Sequence, residues 1–319
     1  MESRHPNNPF IAGVGHSRAF RDIVERAQKL ASIPRPVLIR GERGTGKELL
    51  ARYLHDQAGA PGRPYVAVNC AAFQTDLFAA TMFGNEKGAF TGASERRIGL
   101  LERAHGGTLF LDEIANMARR VQEKLLRVIE YQCFERLGGT KPIEVTVRVI
   151  AATNSPIEDM LADGDFLQDL YDRLSFAELS LPPLRKRRED IPALIEHFRS
   201  ALHKEMPSLP EGEFTLEALA ELSAYHWPGN VRQLKHVVER LYFSDEDRVI
   251  NADELSLDRL SNAQTPGTFS EKTAAFERSL LLDGLREANG NQRRAAELLG
   301  MTYDQFRHHF RKHHLADHA

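Results

Sequence analysis

Two stretches, GERGTGKE (Gly41 to Glu48) and TLFLDE (Thr108 to Glu113), carry the residue types needed to hold and cleave a nucleoside triphosphate. In the first, Gly41, Gly44 and Gly46 let backbone N–H groups turn inward around phosphates at a helix N-terminus, with Glu42 and Thr45 between them. Lys47 then reaches the β and γ phosphates. In the second, the run TLFL reads as a buried strand that ends in Asp112 and Glu113. One carboxylate, Asp112, can hold a magnesium ion, and the next can orient a water at the γ-phosphate. The phosphate-loop pattern ordinarily closes on Ser or Thr; here Glu48 stands in that place, and the usual hydroxyl ligand of magnesium is missing.

A third stretch, EKGAFTGASE (Glu86 to Glu95), is of another kind. Gly88, Ala89, Gly92 and Ala93 frame Phe90 and Thr91, a spacing unsuited to a core strand, and a phosphate loop would not centre on a Phe. It reads as a loop built to touch something through one ring and one hydroxyl.

The elements behind these stretches follow from periodicity. PVLIR, YVAVN, TLFLD, VTVRVIAATN and FAELSL are near-continuous apolar runs separated by amphipathic segments, the mark of a parallel sheet covered on both faces. An α/β core is expected over residues 8–188. From 189 to 258 the pattern turns helical, with Val231, Leu234, Val238 and Leu241 on one stripe. A linker holding Pro266 and Gly267 is expected over 259–272, and a helical unit over 273–319.

That last unit reads as helix, turn, helix. Asn291 caps the first helix, Ala295, Ala296, Leu298 and Leu299 form its packing face, and Gly300 ends it. Thr302 and Gln305 make a capping box, and Phe306 and Phe310 are expected to bury. Tyr303, Arg307, His308 and Arg311 then become candidate groove contacts on double-stranded DNA, with Arg293 and Arg294 at phosphates. A helical hairpin with solvated charges is the plain alternative. The histidines at 308, 309, 313, 314 and 318 lack a paired carboxylate or cysteine, which favours DNA contacts or a solvated tail over metal.

The 319 residues carry a net charge of −3, so any nucleic-acid surface must be local. The two cysteines lack metal-ligand spacing, and no apolar run approaches the roughly 18 residues of a membrane span. The N-terminal segment has no signal-peptide core, so a soluble cytoplasmic protein is expected.

Read in order, GERGTGKELLARYLH, FGNEKGAFTGA, GGTLFLDEI, VQEKLLRVIE, ATN, LPPLRKRREDI and WPGNVRQLK resemble the AAA+ bacterial enhancer-binding activators of sigma-54 RNA polymerase, over nearly the whole chain. Members usually carry Glu after the loop lysine, as Glu48 does here. The resemblance implies an AAA+ parallel sheet with a helical lid, a Fis-type helix-turn-helix, ATP and Mg2+ as cofactors, and a hexameric ring. It implies that Asn69 couples Glu113 to the nucleotide state, that Asn154 is the first sensor and Arg232 the second, and that Phe90 and Thr91 contact sigma-54. Asn69 and Asn154 could equally cap strand ends. The family offers two arginines acting in trans within FRxDLYxRL; here FLQDLYDRL keeps Arg173 but has Leu167 at the first position. The C-terminal wording is particularly like the phage-shock subgroup, implying enhancer-like DNA bound as a dimer and an inhibitory regulator acting in trans. With the first strand arriving by Val37, no room for a sensing domain is expected ahead of it. Two other readings stay open: a DNA-binding regulator in which ATP controls assembly without efficient hydrolysis, and a different AAA+ machine.

Overall fold

The computed structural model describes residues 14–59, 62–72, 75–91, 93–207, 212–244, 249–255, 277–278, 280–281, 284–285, 288 and 291–312. Gly92, the 259–272 linker and His313, His314 and His318 lie outside them, as do the side chains of His308 and Arg311. The chain divides into two compact units, residues 1–252 and 253–319.

In the first unit, α1 (Arg18–Ala31) is capped by Ser17 and buries Phe20, Ile23, Ala27 and Ala31, a spacing of three or four residues that makes one stripe. β1 (Val37–Arg40) leads into α2 (Lys47–Asp56). β2 (Tyr65–Asn69) is followed by α3 (Thr75–Phe83), a long excursion and the short α4 (Leu100–Arg103). β3 (Thr108–Asp112) leads to α5 (Arg119–Tyr131), then to the antiparallel pair β4 (Cys133–Glu135) and β5 (Pro142–Glu144). β6 (Arg148–Thr153), α6 (Ile157–Asp163), α7 (Gln168–Leu174) and β7 (Glu178–Ser180) complete the α/β part.

The five-stranded sheet runs β2-β3-β6-β1-β7, every pair parallel. Its strands alternate between two cores: Leu109 and Leu111 pack on one side with Leu38 and Ala151, while Phe110 packs on the other with Val37, Ile39 and Ile150. Burial of both faces is the physical reason that the strand runs are continuously apolar. The register sets Asn69 opposite Asp112 and Arg40 opposite Thr153, so four strands bring their C-terminal ends to one edge. That edge is where an open parallel sheet leaves a crevice for ligands.

Three helices follow: α8 (Ile191–Glu205), α9 (Leu216–Ala224) and α10 (Asn230–Ser244), with β8 (Glu213–Phe214) paired to β9 (Val249–Ile250). Leu234, Val238 and Leu241 of the expected stripe are buried, joined by Val237 and Tyr242, while Val231 is half-buried. Trp227 is fully buried and donates from Nε1 to the Leu222 carbonyl at 2.7 Å, so its ring fixes the turn into α10. Among the described residues no helix is long and apolar enough to cross a membrane.

In the second unit, helices Gln292–Leu298 and Tyr303–Lys312 pack through Ala295, Ala296, Phe306 and Phe310 against Leu281, Leu285 and Ala288. Leu298 departs from expectation: it is 54% exposed. Ala295, Ala296 and Leu299 already span the buried arc, and at about 100° per residue Leu298 falls beyond its edge. The Thr302–Gln305 capping box is present in both directions, at 3.3 and 3.0 Å.

Candidate nucleotide site and contact loop

The phosphate loop sits between β1 and α2. Lys47 is the first residue of α2, and Gly46 before it has no side chain with which to cap the helix, which suits a helix start that receives an anion. Lys47 Nζ lies within this cradle, donating to the carbonyls of Gly41 at 3.0 Å and Glu42 at 3.3 Å. Burial pulls its pKa down, and the nearby carboxylates of Glu113 and Asp112 act in the opposite sense. Gly44 has φ +78, and a Cβ there would lie 2.3 Å from the Gly229 carbonyl oxygen, so no other residue fits without moving backbone.

Asp112 ends β3, and its Oδ1 accepts the Glu113 amide at 3.0 Å. Glu113 has φ 53, a left-handed conformation rare for a non-Gly residue, and its Oε2 is buried with no hydrogen-bond partner among the described residues. Such an orphaned acceptor costs about 1–3 kcal/mol. A water held for reaction would satisfy it, so these residues fit a triphosphate with its metal: Asp112 can ligate magnesium, and Glu113 can orient the water. Glu48 is exposed in the first turn of α2, where its charge complements the helix dipole.

Asn69 and Asn154 are brought to the same sheet edge. The Asn69 carboxamide accepts the Ala71 amide at 2.8 Å within its own turn, and no hydrogen bond joins it to Glu113 among the described residues. Asn154 is exposed just past β6, its Oδ1 accepting from the Ser155 hydroxyl at 3.3 Å.

The Glu42 side chain is taken up by the segment that follows β7 and by the start of α10. Its carboxylate takes both arms of Arg185, at 2.5 and 2.7 Å, and one Asn230 amide hydrogen bond at 3.1 Å. Bonding to Arg185 first, and to Asn230, holds its carboxyl down at about 2. Arg187 is buried and donates to the Thr45 carbonyl at 2.9 Å. Asp190 receives the amides of His16 and Ser17 at 2.7 Å and the Ser17 hydroxyl at 2.8 Å. The polar residues of LPPLRKRREDI thus strap the phosphate loop and the start of α1. The Arg232 amide donates to the Gly44 carbonyl at 3.2 Å, setting that residue beside the loop.

The excursion between α3 and α4 carries the framed loop. Asn85 pairs with Arg97 through both backbone bonds, Glu86 N donates to Leu137 O, and Leu137 N donates to Gly84 O, giving the base a small backbone ladder. At the tip, Gly88 N donates to Ala93 O and Ala93 N to Phe90 O, a tight reversal that leaves Phe90 47% exposed and Thr91 exposed. Beneath the base, Arg136 of the β4–β5 turn is buried and bonds Glu86 at 2.8 Å and Glu102 at 2.9 Å. Arg136→Ala is expected to cost about 1–3 kcal/mol, because it removes a buried guanidinium and leaves the half-buried carboxylates of Glu86 and Glu102 without their shared partner. Urea unfolding followed by circular dichroism measures it; a loss under about 1 kcal/mol would mean that water replaces the guanidinium freely.

Arg173 projects from α7, 58% exposed, with its guanidinium on Glu130 of α5 at 3.0 Å. Leu167, where the resemblance calls for arginine, caps α7, donates its amide to the buried Gln122 and packs against the core. In the second unit, Arg293, Arg294 and Arg307 are exposed, and the Arg293 guanidinium lies over the Tyr303 ring at 5.3 Å. The Asn291 carboxamide already accepts the amides of both Arg293 and Arg294, so a phosphate there would meet their side chains. His309 does have a carboxylate beside it, Glu277 at 3.6 Å, because the fold brings a residue 32 positions earlier in the sequence next to it. Among the described residues no cluster of three His, Cys, Asp or Glu could hold a metal.

Sequence reasoning missed Arg185, Arg187 and Asn230 as site residues. The words that contain them, LPPLRKRREDI and WPGN, were the available signal.

Three family profiles match in succession: the sigma-54 interaction domain over residues 13–180, the AAA+ ATPase lid domain over 185–272, and the bacterial regulatory protein, Fis family, over 273–312. The chain is 43% identical to the Psp operon transcriptional activator of Escherichia coli K12, covering 95% of this chain and 98% of that one. It is 39% identical to the response regulator protein PilR of Pseudomonas aeruginosa, over 94% of this chain and 69% of that one. Among solved structures, NtrX of Brucella abortus in complex with ADP superposes with a TM-score of 0.72 at 35% identity, over 94% of this chain and 69% of that one. The same protein with ATP gives 0.70 at 36%, over 94% and 68%.

Proposed function

The chain belongs to the family of sigma-54-dependent transcriptional activators, an AAA+ unit with its lid joined to a Fis-type DNA-binding domain, and from that premise we propose that it hydrolyses ATP to remodel the sigma-54 polymerase closed complex into an open one. In this reading residues 8–188 are the ATPase core, 189–258 the lid, 259–272 a linker and 273–319 the DNA-binding domain. ATP lies in the cradle of Gly41, Gly44, Thr45 and Gly46, with Lys47 on its phosphates. Asp112 would hold magnesium, which would supply charge neutralisation on the phosphate oxygens. Glu113 orients the attacking water and accepts its proton. Asn69 leaves its own turn to bond Glu113 in one nucleotide state, while Asn154 and Arg232 read the γ-phosphate from the sheet edge and the lid. Arg173 reaches the site of a neighbouring subunit in a hexameric ring. Phe90 and Thr91 press on sigma-54.

The second unit binds enhancer-like DNA through Arg293, Arg294, Tyr303, Arg307, His308 and Arg311, and two copies would read half-sites about 34–36 Å apart. The near-full-length similarity to the Psp operon activator supports a phage-shock type of circuit, controlled in the cytoplasm by an inhibitory protein in trans.

One observation carries the activator reading: a loop whose base is bonded at several points leaves a phenyl ring and a hydroxyl exposed at its tip. Open-complex formation by sigma-54 polymerase with ATP, on a promoter fragment, tests it. Thr91→Ala should hydrolyse ATP within about threefold of wild type and lose at least about tenfold in open complexes, or 1.4 kcal/mol of coupling. A wild type that neither hydrolyses nor opens would favour the second reading, a DNA-binding regulator assembled by ATP. Leu167 in place of an arginine is the observation on its side.

A further inference from the structure

Resting on the ATPase reading, we propose that Asn230 is a positioning residue for hydrolysis: it joins the lid to the phosphate loop so that Arg232, two residues on, is held beside that loop at Gly44. The junction is made of backbone and buried amide groups. Asn230 is fully buried at the first position of α10, donates from Nδ2 to Glu42 Oε2 at 3.1 Å and to the Arg43 carbonyl at 3.0 Å, and accepts the Leu184 amide on Oδ1 at 2.8 Å. Residues 42, 43 and 44 are each bonded from the turn 229–232, the last through Arg232 N. The Gly44 Cα approaches so closely that a Cβ would meet Gly229 O and, at 3.1 Å, Arg232 Cβ.

The turn itself is strained. Trp227 and Asn230 both hold positive φ, 50 and 53. A left-handed non-Gly residue costs of order 1–3 kcal/mol and persists only where its surroundings over-determine it. Trp227 is held by its buried ring and Leu222; the Asn230 side chain is held by three hydrogen bonds, two of them to the phosphate loop. Asparagine also fits the left-handed region better than most residues.

Orientation follows from charge. Arg185 keeps Glu42 anionic, so the amide NH2 of Asn230 must face it and the carbonyl must face Leu184 N. Arg232 is set beside the loop by its amide on the Gly44 carbonyl at 3.2 Å and by its Cβ close to Gly44, and Lys47, whose pKa burial pulls down, also senses the Arg232 charge. A displacement of about 1 Å in such a group costs up to about a hundredfold in rate. The lid therefore reports to the γ-phosphate through a fixed joint at Asn230, and its freedom lies elsewhere.

The test is a double-mutant cycle on the full chain, reading kcat and the Kd for a fluorescent ATP analogue, with thermal melts as control. Asn230→Asp faces one carboxylate with another and should lower kcat about thirtyfold and weaken binding about tenfold, in protein that still melts cooperatively. In an Arg232→Ala background the same change should cost under about threefold, because the positioned group is gone. Adding Glu42→Gln to Asn230→Asp restores one donor and one carboxylate to the junction and should regain at least about tenfold in kcat. A purely structural role would lower the melting temperature and cost equally in both backgrounds. That result, a loss within about twofold in both kcat and Kd, or no regain in the swapped pair, overturns the proposal. If the wild type binds the analogue without hydrolysing ATP, the ATPase reading falls and the cycle in Kd alone decides the role of Asn230.

Discussion

Glu113→Gln is expected to lower the hydrolysis rate by roughly 10² to 10⁴ while nucleotide affinity stays within about threefold. The size follows from what is removed. A general base in place contributes that range, and glutamine keeps the shape of Glu113 without its ability to take a proton. The split between rate and affinity follows from placement: the bonds that grip phosphates come from the loop and Lys47, whereas Glu113 lies at the end of β3 with Oε2 unpartnered. Single-turnover hydrolysis beside equilibrium binding of a fluorescent analogue measures both quantities. Equal losses in rate and affinity would assign Glu113 to binding and remove it from the chemistry.

Arg173→Ala should cost roughly 10³ to 10⁵ in hydrolysis at protein concentrations where subunits associate. The pairing of Arg173 with Glu130 makes this a sharper test than deletion alone. An exposed ion pair contributes only about 0–1 kcal/mol, so the guanidinium can leave Glu130 for a more strongly charged phosphate at little cost. Its loss should therefore leave the melting temperature unchanged. Arg173→Ala mixed with Lys47→Ala should recover activity, since one subunit supplies the intact loop and its neighbour the intact arginine. Two inactive proteins that stay inactive when mixed would show that Arg173 does not act across a subunit boundary, and with Leu167 half-buried against the core no second arginine stands at that position.

The parallel sheet, its two covered faces, the phosphate loop and the acidic strand end were legible in the residues, because each is local and periodic. TLFLD must alternate between two cores to bury all of its apolar side chains, and Leu109 and Phe110 do so. The capping box of the second unit was legible for the same reason. Leu298 was misplaced because the apolar pairs Ala295–Ala296 and Leu298–Leu299, split only by Glu297, leave the edge of the helical stripe undefined. The straps around the phosphate loop were hidden for a different reason: Glu42 finds Arg185 and Asn230, and Thr45 finds Arg187, at separations of 142 to 188 positions. A polar pair at that range has no period to betray it, and Glu42 looked like one more member of the loop. Asn69 could cap its strand end or sense nucleotide, and its carboxamide bonded to Ala71 shows the first geometry.

The strap also has a history in time. Glu42 leaves the ribosome 188 positions before the asparagine that bonds it, and at about 5–20 residues per second that interval is roughly 10–40 s. Through it the sheet lacks β6 and β7 at first, and then the loop lacks Arg185, Arg187 and Asn230. A half-made chain therefore offers glycines and a lysine in the right order with only the loop's own bonds, from Lys47 and Thr45 to Gly41 and Glu42, to fix their shape. ATP, which stabilises only what it binds, cannot favour this intermediate as it favours the finished subunit. The junction thus depends on the order of synthesis: the bonds that hold Glu42 and Thr45 can be made only after the chain has been translated through to the lid.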